Sequence, residues 1–224
     1  PVEWKDHKIN LIDTPGFADY AAEVKSAMRV ADSLIVVVEG VSGVEVQTEV
    51  YWEDAEKNNI PRIAFINKLD RENSSFPRVL EQMRETFGHK VVPIQLPIGS
   101  ENSFSGVVDL LHMKAFVWEA GGKFKETAIP DDMADEAASA RDQLVEAAAE
   151  GNDELLNKYL EGEELTSEEV YLGLKHAVIK GVVVPVLCGS AGKNIGIQPL
   201  MDIIVESLPS PEEILSAEGK DIGS

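Results

Sequence analysis

Arg62-Ile63-Ala64-Phe65-Ile66-Asn67-Lys68-Leu69-Asp70 is the stretch on which the fold turns. After Arg62 come four apolar residues, bounded by Pro61 on one side and a polar tetrapeptide on the other. A short apolar run of this kind is the pattern of a strand buried on both faces. Phe76 to Phe87 follows as an amphipathic helix, and the alternation repeats in both directions. Upstream, Lys8 to Ile12 reads as a strand, Ala21 to Val30 as a helix, Ser33 to Val38 as a strand and Glu45 to Asn58 as a helix. Downstream, Val182 to Leu187 resumes the apolar style and Ile197 to Leu208 is helical. This order predicts an α/β fold with a parallel sheet flanked by helices. Ligands bind such sheets beyond the carboxyl ends of the strands. The residues that follow Ile12, Val38 and Ile66, and those after Leu187, are therefore the ones to inspect.

Between these blocks the rhythm changes. Val91 to Ile98, Gly106 to Leu110, Ala115 to Trp118 and Lys123 to Thr127 read as short strands, with turns at Gly99, Asn102-Ser103 and Gly121-Gly122. Helices are predicted at Asp131 to Ala149, Asp153 to Leu160 and Ser167 to Lys180. The last opens on the capping-box sequence Thr166-Ser167-Glu168-Glu169. The predicted organisation is a parallel-sheet domain over residues 1–89 and 182–208, interrupted by an acidic α+β subdomain at 90–181. Pro209-Ser210-Pro211 ends the last helix, and 209–224 reads as a linker.

Composition narrows the function. Forty Asp and Glu against 20 Lys and Arg give the 224 residues a formal net charge of -20. Such a surface repels phosphate backbones, so this chain is not expected to grip DNA or RNA by itself; it suits basic protein partners. A lone cysteine, Cys188, excludes an internal disulfide and a cysteine-based zinc site. No apolar run reaches the roughly 18 residues of a membrane span, and Pro1 to Lys8 is no signal peptide. The expectation is a soluble, cytoplasmic protein with no membrane contact.

Three motifs sit where the sheet would place a ligand. In Asp13-Thr14-Pro15-Gly16 a carboxylate can hold Mg²⁺ through water, and Gly16 can offer its N–H to a phosphate oxygen. Taken alone, the tetrapeptide reads better as a plain strand-to-helix turn. In Asn67-Lys68-Leu69-Asp70, one carboxylate can accept both guanine N1–H and N2–H₂, a pair adenine lacks, and the Lys68 stem can pack on the ring. Taken alone, this is equally a solvated turn with a helix cap. Ser190-Ala191 can aim a backbone N–H at guanine O6, with Ser190 bracing the loop. Their common order, each after a sheet strand, points to a guanine-nucleotide site.

Ile12 to Phe17, Phe65 to Arg71 and Leu187 to Ala191 resemble the third, fourth and fifth guanine-nucleotide motifs of translational GTPases. Ile94 to Gly99 and Lys158 to Glu164 resemble the subdomain inserted into the GTPase domain of elongation factor G, and Leu208 to Pro211 the join to that factor's second domain. The resemblance implies a P-loop NTPase-type fold and a GTPase that drives tRNA and mRNA movement on the ribosome, with GTP or GDP and Mg²⁺ as cofactors. It implies that Asp13 contacts the metal through water and that Gly16, in the turn with Thr14 and Pro15, contacts the γ-phosphate. It assigns Asn67, Lys68, Leu69 and Asp70 to guanine, with Ser190 and Ala191 closing on O6. It makes the acidic insert a docking surface for the ribosomal stalk protein, while rRNA contacts come mainly from parts outside this chain; a merely solvated helix face is the plainer reading of those carboxylates.

The sequence departs from elongation factor G in two places. Phe17 stands where that family carries the histidine that positions the attacking water, as in some elongation-factor-G-like paralogues. Phenylalanine cannot hydrogen-bond water, and His7 is poorly placed to substitute. Nor does the chain contain a Gly-x-x-x-x-Gly-Lys-Ser/Thr loop. That loop and the first switch are expected upstream of Pro1, so the chain reads as an excised, inactive piece of a longer protein. Its first strand is expected to shift into the place of the sheet's central strand, or a second chain to pair there. The rival readings are a ribosome-docking module without turnover and a ribosome-protection or release-factor type GTPase.

Overall fold

The computed structural model describes residues 1–16, 18–119 and 123–217. The chain opens with β1 (Val2–Trp4) and β2 (His7–Ile9), followed by α1 (Ala21–Met28), β3 (Leu34–Glu39), α2 (Val46–Lys57), β4 (Arg62–Asn67), α3 (Phe76–Phe87) and β5 (Val91–Pro93). Next come β6 (Gln95–Ile98), β7 (Gly106–Asp109), β8 (Lys114–Trp118) and β9 (Phe124–Thr127), then α4 (Ala134–Ala149), α5 (Asp153–Leu160) and α6 (Ser167–Ile179). β10 (Val184–Cys188), α7 (Ile197–Ser207) and α8 (Pro211–Ala217) complete it.

The strands β3, β4, β10 and β5 form a parallel sheet in that order. Residues 62–66 of β4 and all of β10 are buried, as continuous apolar runs require at the centre of such a sheet. α3 covers it because Phe76, Val79, Leu80 and Met83 recur at helical spacing and all are buried. Burying side chains such as Val79 and Met83 contributes roughly 1.5–3 kcal/mol each. Ser75 caps the helix by accepting from the Arg78 N–H, and Gly88, at φ 88°, ends it.

The antiparallel sheet β6-β7-β8-β9 stands beside the first. The expected single strand Val91 to Ile98 is divided between the two: Val91–Pro93 pairs with β10, and Gln95–Ile98 with β7. One hydrophobic core runs through both sheets, joining Val79 and Val186 to Val107, Leu144 and Leu174. α4 and α6 meet closely at Gly173, where an added Cβ would lie 2.4 Å from the Ala148 carbonyl oxygen.

Three expectations change. The stretch Lys8 to Ile12 does not enter the parallel sheet. β2 instead pairs with β1 around a turn in which Lys5 and Asp6 take left-handed φ values of 45° and 62°, and Leu11 and Ile12 are 56% and 57% exposed. The hairpin is tied to α7: Trp4 Nε1 donates to Asp202 Oδ1 at 2.6 Å, and Lys5 Nζ lies 2.9 Å from Asp202 and 3.1 Å from Glu206. β3 is an edge strand, with Val37 59% exposed. Finally, part of the expected linker is helical, because Ser210 and Glu213 cap α8 reciprocally at 2.8 and 3.3 Å. The turn expected at Gly121-Gly122 and residues 218–224 lie outside the described residues.

Candidate functional site

β4 and β10 run side by side, so the loops that leave their carboxyl ends emerge as neighbours. Backbone bonds join them first: Gly189 N–H donates to the Ile66 carbonyl at 3.0 Å, and Leu69 N–H to the Gly189 carbonyl at 3.2 Å. Side chains then bind the two loops together. Asn67 Oδ1 accepts from Lys68 N–H at 2.8 Å and from Ala191 N–H at 2.9 Å. Two amide donors on one atom fix that atom as oxygen and leave Nδ2 on the other side. Ser190 Oγ donates to Asp70 Oδ1 at 2.6 Å and itself accepts from Lys193 N–H at 3.3 Å. Lys193 Nζ stands 3.8 Å from Asp70 Oδ2.

The sequence forces this geometry at several points. A Cβ on Gly189 would sit 2.4 Å from the Ile195 carbonyl oxygen and 2.6 Å from Phe65 Cζ. Only glycine fits. Leu69 is 3% exposed and plugs the loop into the core, so its part is to hold rather than to touch. Lys68 takes φ 61°, a left-handed conformation uncommon outside glycine, asparagine and aspartate. The outcome is a carboxylate, Asp70, whose side chain is 15% exposed and whose position is fixed from two sides. Each of its oxygens keeps accepting capacity for donors from outside the protein.

The structure thus brings Asn67, Lys68, Leu69, Asp70, Ser190 and Ala191 together. Asp13, Thr14, Pro15 and Gly16 stand apart, exposed and outside any helix or strand, with no hydrogen bond or ion pair among the described residues. A Cβ on Gly16 would meet nothing within 4 Å. Phe17 lies outside the described residues. His7 is exposed in the hairpin, its Nδ1 2.7 Å from the Lys5 carbonyl. Among the described residues no three His, Cys, Asp or Glu side chains group into a metal site. Two residues join the site that the motif reading did not name, Glu39 and Ser42. Glu39, at the end of β3, accepts from Lys68 Nζ at 2.8 Å and from Ser42 Oγ at 3.2 Å. The signal was present, since Glu39 directly follows Val38, one of the strand ends to inspect.

In parallel α/β sheets ligands bind beyond the carboxyl ends of the strands, where these two loops are joined. Residues 1–210 match the family of the elongation factor Tu GTP binding domain, and the chain belongs to that family. A crystal structure of a Thermus thermophilus protein superposes with a TM-score of 0.89 at 35% sequence identity, covering 96% of this chain. The chain spans 32% of that protein's length. The fold is that of a translational GTPase domain.

Proposed function

We propose that this chain is the base-reading part of the GTP-binding domain of an elongation-factor-G-like translational GTPase, acting in translocation or a related step on the ribosome. The joined β4 and β10 loops carry the reading, because they present one oriented carboxylate, Asp70, beside one oriented amide, Asn67. Asp70 accepts guanine N1–H and N2–H₂. Asn67 Nδ2 donates toward the N7 and O6 edge, which carries only acceptors. The Ala191 N–H is committed to Asn67 Oδ1, so it reaches O6 only by sharing that bond.

Asp13 and Gly16 serve the phosphate side. The exposed Asp13 carboxylate has no protein partner among the described residues, which fits a water-mediated contact to a Mg²⁺ held mainly by nucleotide phosphates. That ion neutralises charge on the β- and γ-phosphates when bound. Thr14 and Pro15 shape the turn, and Gly16 offers its N–H to the γ-phosphate. Phe17 stands in the sequence where the family carries its water-positioning histidine and cannot hydrogen-bond water, so either hydrolysis is slow or another group positions the water. No Gly-x-x-x-x-Gly-Lys-Ser/Thr occurs in the 224 residues, so this chain alone binds GTP weakly and does not turn it over.

The division into a GTPase domain at 1–89 and 182–208, an acidic insert at 90–181 and a following segment belongs to the same reading, with the insert facing the ribosomal stalk. The setting is cytoplasmic; among the described residues no helix is long and apolar enough to cross a membrane. A docking module without turnover is the second reading, favoured by the excess of carboxylates along the insert.

The test is base selectivity. Asp70→Asn should reverse the preference for GDP over xanthosine diphosphate by about a hundredfold in the ratio of Kd values, since hydrogen bonds to a charged group are worth roughly 1.5–3 kcal/mol. Competition titrations followed by amide NMR read that ratio. Equal loss of both ligands removes Asp70 from the base, and absence of either ligand's binding favours the docking module.

A further inference from the structure

Glu39 closes β3 at the same carboxyl edge as Asn67 and directly opposite it in register. Both of its oxygens are used: Oε1 accepts from Lys68 Nζ at 2.8 Å, and Oε2 from Ser42 Oγ at 3.2 Å. The Lys68 ammonium holds the Glu39 carboxyl below its usual range, and Ser42 adds to this. The loop beyond it is pinned as well. Arg78 Nη2 donates to the Gly40 and Val41 carbonyls at 3.0 and 2.6 Å, Ser75 N–H to Gly40 O at 2.9 Å, and Gly43 N–H to Glu39 O at 2.8 Å. Glu39 therefore presents its carboxylate from a fixed platform.

Lys68 is consequently held at both ends. Its backbone stays left-handed at φ 61°, with its N–H on Asn67 Oδ1, and its ammonium rests on Glu39. A free lysine stem samples many rotamers, and ordering it only when ligand arrives costs affinity. Held at both ends, the stem is a ready-made apolar wall one residue from Leu69 and two from Asp70.

We propose that Glu39 is a positioning residue of the base site, acting through Lys68. It sets the lysine stem against the guanine ring before nucleotide arrives. This rests on the guanine reading above. Neither Ser42 nor Glu39 touches the base; their effect passes through the ammonium.

The test uses the full chain with GDP as the probe, and four versions: unaltered, Glu39→Gln, Lys68→Ala and the double variant. Glu39→Gln should weaken GDP by about two- to fivefold, the range of an exposed ion pair. The loss should shrink at about 1 M salt, because added salt weakens an exposed ion pair. In the Lys68→Ala background the same change should cost nothing further. Without nucleotide, ¹³C relaxation of the Lys68 ε-methylene should pass from ordered to freely rotating in Glu39→Gln, with the melting temperature unmoved. A full loss of affinity in the Lys68→Ala background, or a loss that tracks a falling melting temperature, overturns the proposal. If GDP leaves the amides of Asn67, Asp70 and Ala191 in place, the guanine reading falls and takes the proposal with it. If those amides move but Glu39→Gln changes neither Kd nor Lys68 order, the proposal alone falls.

Discussion

The loops after β4 and β10 and the loop after β2, which we propose serve one nucleotide, stand in opposite physical states. The first two are bound together by Asn67, Ser190 and backbone amides on a buried parallel sheet. The third, Asp13 to Gly16, is exposed beyond a hairpin whose strands, among the described residues, join no larger sheet. The difference lies in what each loop is anchored to. Asn67 is the last residue of a strand whose other five residues are buried, so its position is inherited from the core. Asp13 follows Leu11 and Ile12, which bury little. The β4 and β10 loops are thus held in place by the fold, whereas Asp13 to Gly16 take no support from the core.

Glycine substitutions give the largest expected contrast. Gly189→Ala forces a Cβ against the Ile195 carbonyl and should cost about 1–3 kcal/mol by chemical denaturation. Gly16→Ala should stay within about 0.5 kcal/mol, because nothing lies near its Cβ. Equal costs at the two glycines would break the comparison. Ser190→Ala comes next. It removes the donor to Asp70 and should cost about 1 kcal/mol while relaxing the preference for GDP over xanthosine diphosphate. Unchanged selectivity would mean that Lys193 alone orients the carboxylate.

The smallest effect separates the base loops from the insert. Glu169 caps α6 through Thr166 and pairs with Lys158 at 2.7 Å. Lys158, then Thr166, draws the Glu169 carboxyl down from 4.5 to about 2. A lowered folded-state value stabilises above the unfolded value and is lost as pH falls through the folded one. The melting-temperature gap between the protein and Glu169→Gln should therefore be constant above pH 4.5 and close toward pH 2. Over that range the amide signals of Asn67 and Ala191 should not distinguish the two proteins. A gap that widens in acid would reverse the sign and discard the cap.

The same anchoring explains what the sequence disclosed. β4 and β10 were legible because unbroken apolar runs leave few alternatives, and Asn67 and Asp70 followed from where those runs stop. Leu11 and Ile12 misled because they extend an apolar run that the fold leaves exposed; the Lys5-Asp6 turn lacks the Asn-Gly or Gly signal that marks a tight hairpin. α8 was hidden behind Pro209 and Pro211, although Pro211 followed by two glutamates is a helix start. Glu39 escaped because a charge at a strand end looks solvated until the lysine 29 positions later is seen to meet it.

The passage from β5 to β6 has a consequence for anyone reshaping this molecule. Pro93 ends a strand of the parallel sheet, and Gln95 begins one of the antiparallel sheet, with Ile94 N–H still bonded to Val186 O at 3.0 Å. The boundary between the two halves therefore runs along a strand. Trimming at Lys90 and Gly181 would remove an edge strand along with the insert and strip apolar cover from Val184 and Val186. A minimal version that keeps the base loops intact has to retain Val91 to Ile94 and replace the side chains that Leu144 and Leu174 lend to the common interior.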